Sequence, residues 1–154
     1  MKYLFLVLMF CNLAFGREAI DEASKKEIIT VLEAQEDLHA AYFEYDQKSV
    51  LSAANKVEGA LKKISKKKGE FKDALSGIKE ISKTKDEESN KEAYFKFSAA
   101  LASIVKKYDL GKNYNVYYCP MVKKSWIQDS SKHDGVRNPY ASYMPECGRK
   151  ETDY

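Results

Sequence analysis

Sulfur-bearing side chains are concentrated near the C-terminal end of this 154-residue chain. Cys119 is followed two positions later by Met121, and Met144 precedes Cys147 by three positions. A proline accompanies each pair and stiffens it, because the proline ring fixes φ. Brought together, the four side chains would offer two thiolates and two thioethers. This soft set suits Cu(I) best, since zinc more often takes histidine in place of a thioether.

The same cysteines also fit a disulfide. A third cysteine, Cys11, lies in an apolar leader, so an exported mature chain would keep only Cys119 and Cys147. Two cysteines in an exported protein usually pair, and this bond would close a loop of about 29 residues. Met121 and Met144 would then be packing residues, and no metal would be bound. A reversible disulfide releases a soft metal, so the two states can alternate, and the spacing leaves both interpretations open.

Two other residue types could assist a metal site. His39 and His133 are the two histidines of the chain, and His39 lies beside an apolar helix face. Most histidines in that position are packing residues, so a ligand role is the minority interpretation. Trp126 stands among tail tyrosines that would cover the end of the helices, shield a metal or contact a partner. We expect mainly packing, and we keep His39 and Trp126 as possible accessory residues.

Charge and motifs argue against several function classes. The chain has 26 Lys and Arg against 23 Asp and Glu, a net charge of +3. This balance is unlike that of a nucleic-acid-binding domain, and the lysines of residues 62–68 read as a solvated helix face. There is no Gly-rich phosphate loop, no H-E-x-x-H and no G-x-S-x-G. We therefore expect neither an enzyme nor a nucleic-acid-binding protein.

Helices must position these residues. From Ile20 to Tyr108 there is no proline, and apolar residues recur at steps of three and four. The pattern predicts four amphipathic helices with short connections, the second of them capped by Asp46, and hence an antiparallel four-helix bundle. After Gly111 the period disappears. The expected fold class is all-α, one domain in which residues 17–111 form the helices. Residues 112–154 would form an irregular aromatic- and sulfur-rich loop, in which only NYNVYYCPM could be a short strand.

Residues 1–16 have the layout of a secretory signal. Lys2 precedes an apolar run that ends in small residues, and the run is shorter than the ~20 apolar residues that span a bilayer. We expect cleavage after Gly16 and an exported, mainly periplasmic protein. Lipidation of Cys11 is the less favoured alternative, because the bulky Phe10 precedes it. No later segment is apolar enough to cross a membrane.

Five elements of the tail, in this order, resemble the DUF3347 family: Tyr117-Tyr118-Cys119-Pro120-Met121, Trp126, Val136-Arg137-Asn138-Pro139-Tyr140, Met144-x-x-Cys147 and Gly148. This family consists of bacterial exported domains, some attached to periplasmic adaptor subunits of heavy-metal efflux pumps. The resemblance implies a helical bundle with a C-terminal loop and a role in handling heavy metals, chiefly copper. It also implies that the metal ligands are Cys119, Met121, Met144 and Cys147.

The expected function is therefore the sequestration or transfer of Cu(I) by an exported protein, with periplasmic metal-efflux or copper-resistance proteins as partners. The alternative is an interaction module of the cell envelope that is stapled by a Cys119–Cys147 disulfide and binds no metal. Its binding surface would be the tyrosine-rich end of the helices.

Overall fold

The computed structural model describes residues 16–84, 86–111 and 113–154. The predicted signal sequence of residues 1–16, apart from Gly16, and the lipidation alternative at Cys11 fall on residues 1–15, which lie outside the described residues. Within the described part, no helix combines the length and apolar character that crossing a bilayer demands.

Four α-helices form where the apolar period predicts them. They are α1 (Glu22–Phe43), α2 (Gln47–Lys63), α3 (Lys72–Ile81) and α4 (Glu87–Lys107), and a 3₁₀ turn (Lys68–Phe71) leads into α3. The predicted helical part of the chain is thus confirmed.

The N-termini of three helices share one capping pattern, an aspartate followed three positions later by a serine. The side chains of Asp21, Asp46 and Asp86 accept hydrogen bonds from the backbone N–H groups of Ser24, Ser49 and Ser89. The bond satisfies one of the free N–H groups at a helix start. The predicted N-cap at Asp46 is confirmed, with a distance of 2.8 Å from Ser49 N to Asp46 Oδ2.

The all-α prediction is wrong, because the tail forms a sheet. Strands β1 (Tyr114–Cys119), β2 (Lys124–Asp129) and β3 (Arg149–Lys150) make an antiparallel sheet in the order β2-β1-β3. Five of the six residues of β1 are buried, so both of its faces are covered and the alternation of apolar and polar residues is lost. Strand β3 has only two residues and is too short to be recognised from sequence.

The sheet is part of the core. It packs mainly on α4, and β2 also contacts α1, while α1 packs on α2 and α3 packs on α4. Val116, Trp126 and Ile127 have no exposed surface and belong to the same apolar cluster as the helix residues. Between α1 and α4, the rings of Tyr42 and Tyr94 stack with their centroids 4.3 Å apart. The predicted irregular loop is therefore a second layer that completes the helical core.

Candidate cysteine site

The two tail cysteines come from different elements. Cys119 is the last residue of β1, where it pairs with Lys124 of β2. Cys147 lies just before β3, and its N–H donates a 3.0 Å hydrogen bond to the carbonyl oxygen of Met144. Because β3 pairs with β1, the end of the tail returns to the strand that carries Cys119.

The structure brings the two cysteine sulfurs into direct contact. Their Sγ atoms are 2.7 Å apart and are not bonded in the structure. Cys119 is completely buried, whereas Cys147 is partly exposed. The pair can therefore be oxidised with both backbones where they stand, and solvent reaches it from the Cys147 side.

The surroundings make the two thiols chemically unequal. Burial raises the pKa of Cys119, but hydrogen bonds from the Cys147 thiol and from the backbone N–H groups of Val122 and Met121 outweigh it, so the pKa of Cys119 lies below its ordinary value. The hydrogen bond to Cys119, together with burial, raises the pKa of Cys147. When one proton leaves the pair, Cys119 is the sulfur that carries the negative charge.

Asn138 holds the segment around Cys147 in place. Its side-chain amide donates a 2.9 Å hydrogen bond to the Cys147 carbonyl oxygen, and its Oδ1 accepts one from the N–H of Tyr140, also at 2.9 Å. Its backbone N–H donates to the Pro145 carbonyl oxygen at 2.7 Å. The sequence places Asn138 in a motif but gives it no role, since its partners follow from the path of the tail.

Gly148, the residue after Cys147, lies against the ring of Trp126. The φ of Gly148 is +152°, and a Cβ there would lie 2.7 Å from the Trp126 ring, so a side chain is excluded on both counts. Trp126 is completely buried and stacks on Tyr117 with ring centroids 5.9 Å apart. The expected packing role of Trp126 is confirmed, and it also supports the residue next to Cys147.

The methionines lie in two turns, each next to one of the cysteines in the sequence. Met121 lies in the turn between β1 and β2, and 69% of its surface is exposed. Met144 is half-buried, and its N–H donates a 2.9 Å hydrogen bond to the Ala141 carbonyl oxygen. Of the four predicted sulfur residues, the two thiols are thus in contact, and each methionine lies in a turn next to one cysteine in the sequence.

His39 belongs to a different cluster. It is buried in α1, where its Nδ1 lies 3.4 Å from the Tyr94 hydroxyl oxygen, and burial lowers its pKa to about 3. The charged groups that act on it are His133 and Arg137. It therefore stays neutral, and the structure does not bring it to the cysteines.

A buried carboxylate on α1, that of Glu36, contacts the tail. Glu36 of α1 accepts a 2.9 Å hydrogen bond from the N–H of Asp129, and its Oε2 lies 3.5 Å from His133 Nε2. Burial raises the pKa of Glu36 to about 7, and burial together with Arg137 lowers the pKa of His133. Sequence reasoning missed Glu36, although a charged residue on an otherwise apolar helix face was a usable signal.

Residues 16–84, 86–111 and 113–154 contain no group of three or more His, Cys, Asp or Glu side chains placed to hold a metal ion. The two thiols suit a soft ion by their chemistry. The thioethers of Met121 and Met144 are the further soft ligands that the sequence predicts, and an ion would have to separate two sulfurs that are in contact.

No family model matches this chain, and neither does any curated protein or any solved structure. The resemblance to the DUF3347 family therefore rests on the tail motifs alone and stays a prediction.

Proposed function

We propose that this protein is an exported interaction module of the cell envelope whose tail is closed by a Cys119–Cys147 disulfide. The observation that carries the proposal is the contact between the two sulfurs, 2.7 Å apart and contributed by β1 and by the turn before β3. Pairing is the usual fate of two cysteines in an exported chain. The signal-like leader of residues 1–16 supports export.

Two exposed apolar side chains, each close to a cysteine in the sequence, support the interaction role. Among the described residues, the exposed large hydrophobic side chains are Met121 and Tyr143, with 69% and 75% of their surface accessible. They are separated along the chain from Cys119 and Cys147 by only two and four positions. Tyr117, Trp126 and Tyr140 are buried and Tyr118 is half-buried, so Tyr143 is the aromatic residue of the expected binding surface that is largely exposed. Met121 and Tyr143 together are here called the Met121–Tyr143 surface.

The disulfide is tested on protein exported by cells that carry the full chain. We expect no reactive thiol in the denatured mature protein before reduction, two thiols after reduction, and a mass lower than that of the reduced form by two hydrogens. The double variant Cys119→Ser with Cys147→Ser is the control for the thiol assay. Two free thiols in the freshly isolated, alkylated protein would overturn the proposal.

The interaction surface is tested by cross-linking in intact cells. The variant Met121→Asp with Tyr143→Asp should lose a cross-linked adduct that the wild type forms. A matched control, Lys63→Asp with Ser103→Asp, changes two residues on helix surfaces and should keep that adduct. An adduct that both double variants retain, or both lose, would contradict a binding role for the Met121–Tyr143 surface.

A second candidate function is the binding of Cu(I) by the reduced protein, for sequestration or for transfer to metal-efflux or copper-resistance proteins. The observation that favours it is the placement of Met121 in the turn directly after Cys119 and of Met144 in the turn that leads to Cys147. Cys119 and Cys147 would supply thiolates and the methionines thioethers, a set that favours Cu(I) over zinc. Since thioethers need no deprotonation, affinity should fall less at low pH than in an all-thiolate site.

Copper binding is tested on the reduced protein under anaerobic conditions, in competition with a coloured Cu(I) chelator. One equivalent of Cu(I) that protects both thiols would support it. Met121→Ala with Met144→Ala should then weaken binding, while Met121→Leu with Met144→Leu separates the loss of sulfur from the loss of side-chain volume. Binding that is unchanged in both variants would exclude the thioethers as ligands.

A further inference from the structure

The two cysteines differ in how far an external molecule can reach them. Cys119 has no exposed surface, while Cys147 is partly exposed and lies in a turn at the edge of the sheet. Thiol–disulfide exchange requires an incoming thiolate to approach one sulfur directly. A disulfide between these residues therefore offers a single point of attack, the Sγ of Cys147.

Both cysteines are held by contacts that do not depend on a bond between their sulfurs. Cys119 is fixed in β1 by its pairing with β2. The Cys147 N–H donates to Met144, and its carbonyl oxygen accepts from Asn138 at 2.9 Å. Opening the disulfide would leave both backbones in place, so the bond can close again without refolding.

The environment of Cys119 suits a sulfur that departs with the electron pair. Burial raises the pKa of the Cys119 thiol, but hydrogen bonding by the Cys147 thiol, by the backbone of Val122 and Met121 and by the Asn138 side chain lowers it by more, so the net shift is downward. Donors that are already in position stabilise negative charge as it develops. The buried sulfur is therefore the better leaving group, and the accessible sulfur is the one that is attacked.

We infer that the Cys119–Cys147 disulfide is an exchange site, which accepts two electrons from the dithiol of a partner protein that docks on the Met121–Tyr143 surface. This inference rests on the proposed function and names the chemistry of its partner. A small thiol needs no apolar docking surface, so the exposed Met121 and Tyr143 favour a protein as the donor.

The exchange takes two steps. A thiolate of the partner attacks Cys147 Sγ, a mixed disulfide forms, the Cys119–Cys147 bond breaks, and its electron pair stays on Cys119. The second thiolate of the partner then attacks the partner's own sulfur in the mixed disulfide and displaces Cys147 as a thiolate. Two protons from the partner's thiols end on Cys119 and Cys147. The partner is oxidised to a disulfide, and this protein is reduced to a dithiol.

Reduction of the oxidised protein in native buffer is the first test, with dithiothreitol and reduced thioredoxin as the two probes. We expect both to open the disulfide, with dithiothreitol acting within about tenfold of its rate on the denatured chain. A disulfide that forms but opens only in denaturant would overturn the exchange site and leave the proposed staple intact. Failure of the disulfide to form at all would instead refute the proposed function.

Reduction by thioredoxin should depend on the Met121–Tyr143 surface, and reduction by dithiothreitol should not. Met121→Asp with Tyr143→Asp should slow reduction by thioredoxin at least fivefold and change the dithiothreitol rate less than twofold. The control variant Lys63→Asp with Ser103→Asp should change neither rate. Equal slowing with both probes would contradict docking, and so would unchanged reduction by thioredoxin.

The site of attack is read from the mixed disulfide. Oxidised wild-type protein treated with reduced glutathione and quenched with acid should carry glutathione on Cys147, as located by peptide mass mapping. The single variants give the matched comparison, because Cys119→Ser keeps only Cys147 and Cys147→Ser keeps only Cys119. With oxidised glutathione, the remaining Cys147 should be glutathionylated at least tenfold faster than the remaining Cys119. Glutathione located mainly on Cys119 of the wild type would overturn the assignment, whatever the stability of the variants.

Discussion

The helical part of the chain and its tail are stabilised by different kinds of contact. In residues 22–107, local contacts define the elements: an aspartate caps α1, α2 and α4, and apolar residues return to the same face every three or four positions. In residues 113–154, side chains form hydrogen bonds with backbone groups far away in the sequence. The side-chain amide of Asn115, for example, donates to the carbonyl oxygen of Tyr154 and accepts from the N–H of Tyr154. The starts of these helices are therefore specified locally, whereas the tail is held by contacts between residues far apart in the sequence.

If the tail is a true layer of the core, removing its largest side chain should cost as much as removing a large helix residue. Trp126 and Phe97 are both completely buried, and we expect Trp126→Ala and Phe97→Ala each to lower the free energy of unfolding by about 3–5 kcal/mol. Urea unfolding followed by far-UV circular dichroism measures both.

Hydrogen exchange at β1 supplies the control for cooperativity. In one cooperative unit, Trp126→Ala lowers the protection of β1 and of the helices together. Loss of protection in β1 with an unchanged helical unfolding midpoint would mean that the tail folds on its own.

The contact between Glu36 of α1 and Asp129 of the tail can be tested through the pH dependence of stability. Its pKa rises from 4.5 in the unfolded chain to about 7 in the fold, so the folded state favours the protonated form. Its contribution to stability is therefore fully present below pH 4.5 and is lost as the pH rises through 7. Glu36→Gln stays neutral and keeps an oxygen to accept from Asp129, so it should be more stable than wild type by up to ~3 kcal/mol at pH 8.

Urea unfolding of wild type and Glu36→Gln between pH 4.5 and 8.5 gives the comparison. The difference in stability should be near zero at pH 4.5 and should grow as the pH approaches 7. His39 stays neutral in the fold of both proteins, so its contribution cancels in the difference. His133 lies 3.5 Å from Glu36, so a change in its protonation is part of the measured difference. A difference that does not vary with pH would show that Glu36 has an ordinary pKa.

Asn138 tests the long-range hydrogen bonds of the tail. Asn138→Ala leaves the Cys147 carbonyl and the Tyr140 N–H without this partner, and we expect a loss of about 1–3 kcal/mol. Asn138→Asp keeps the acceptor for the Tyr140 N–H but cannot donate to the Cys147 carbonyl oxygen. Its stability should therefore lie between that of wild type and that of Asn138→Ala. Thermal and urea unfolding measure the losses, and Asn113→Ala, at an exposed position, is the control. Equal stability of Asn138→Ala and Asn113→Ala would contradict the anchoring role.

The smallest expected effect belongs to a helix cap. Asp46→Ala removes the acceptor for the Ser49 N–H at an exposed position, and we expect the melting temperature to fall by about 3 °C. Asp46→Asn keeps an acceptor oxygen and should restore most of the loss. The protection of β1 against hydrogen exchange should fall only with global stability, and a selective loss there would contradict a local role.

The sequence predicts the helices and the N-cap at Asp46 because both depend on residues within about one turn of each other. It indicates that Cys119 and Cys147 can meet, but the geometry of their contact depends on β3 returning to β1. The burial of β1 on both faces hides the alternation that identifies a strand. The roles of Asn138, Gly148 and Glu36 all depend on the path of the tail, which no local pattern encodes.

The position of the two cysteines also bears on resistance to proteases. Ser131, Lys132, Asp134 and Gly135 are exposed, and the segment they belong to lies between Cys119 and Cys147 in the chain. When the Cys119–Cys147 bond is closed, a protease that cuts after Lys132 produces two fragments that stay covalently joined. The segment up to Lys132 would still include both long strands, and the remainder would still be tied to the end of β1. A single cut in this loop would therefore change the migration of the protein on a reducing gel but not release the tail from the fold.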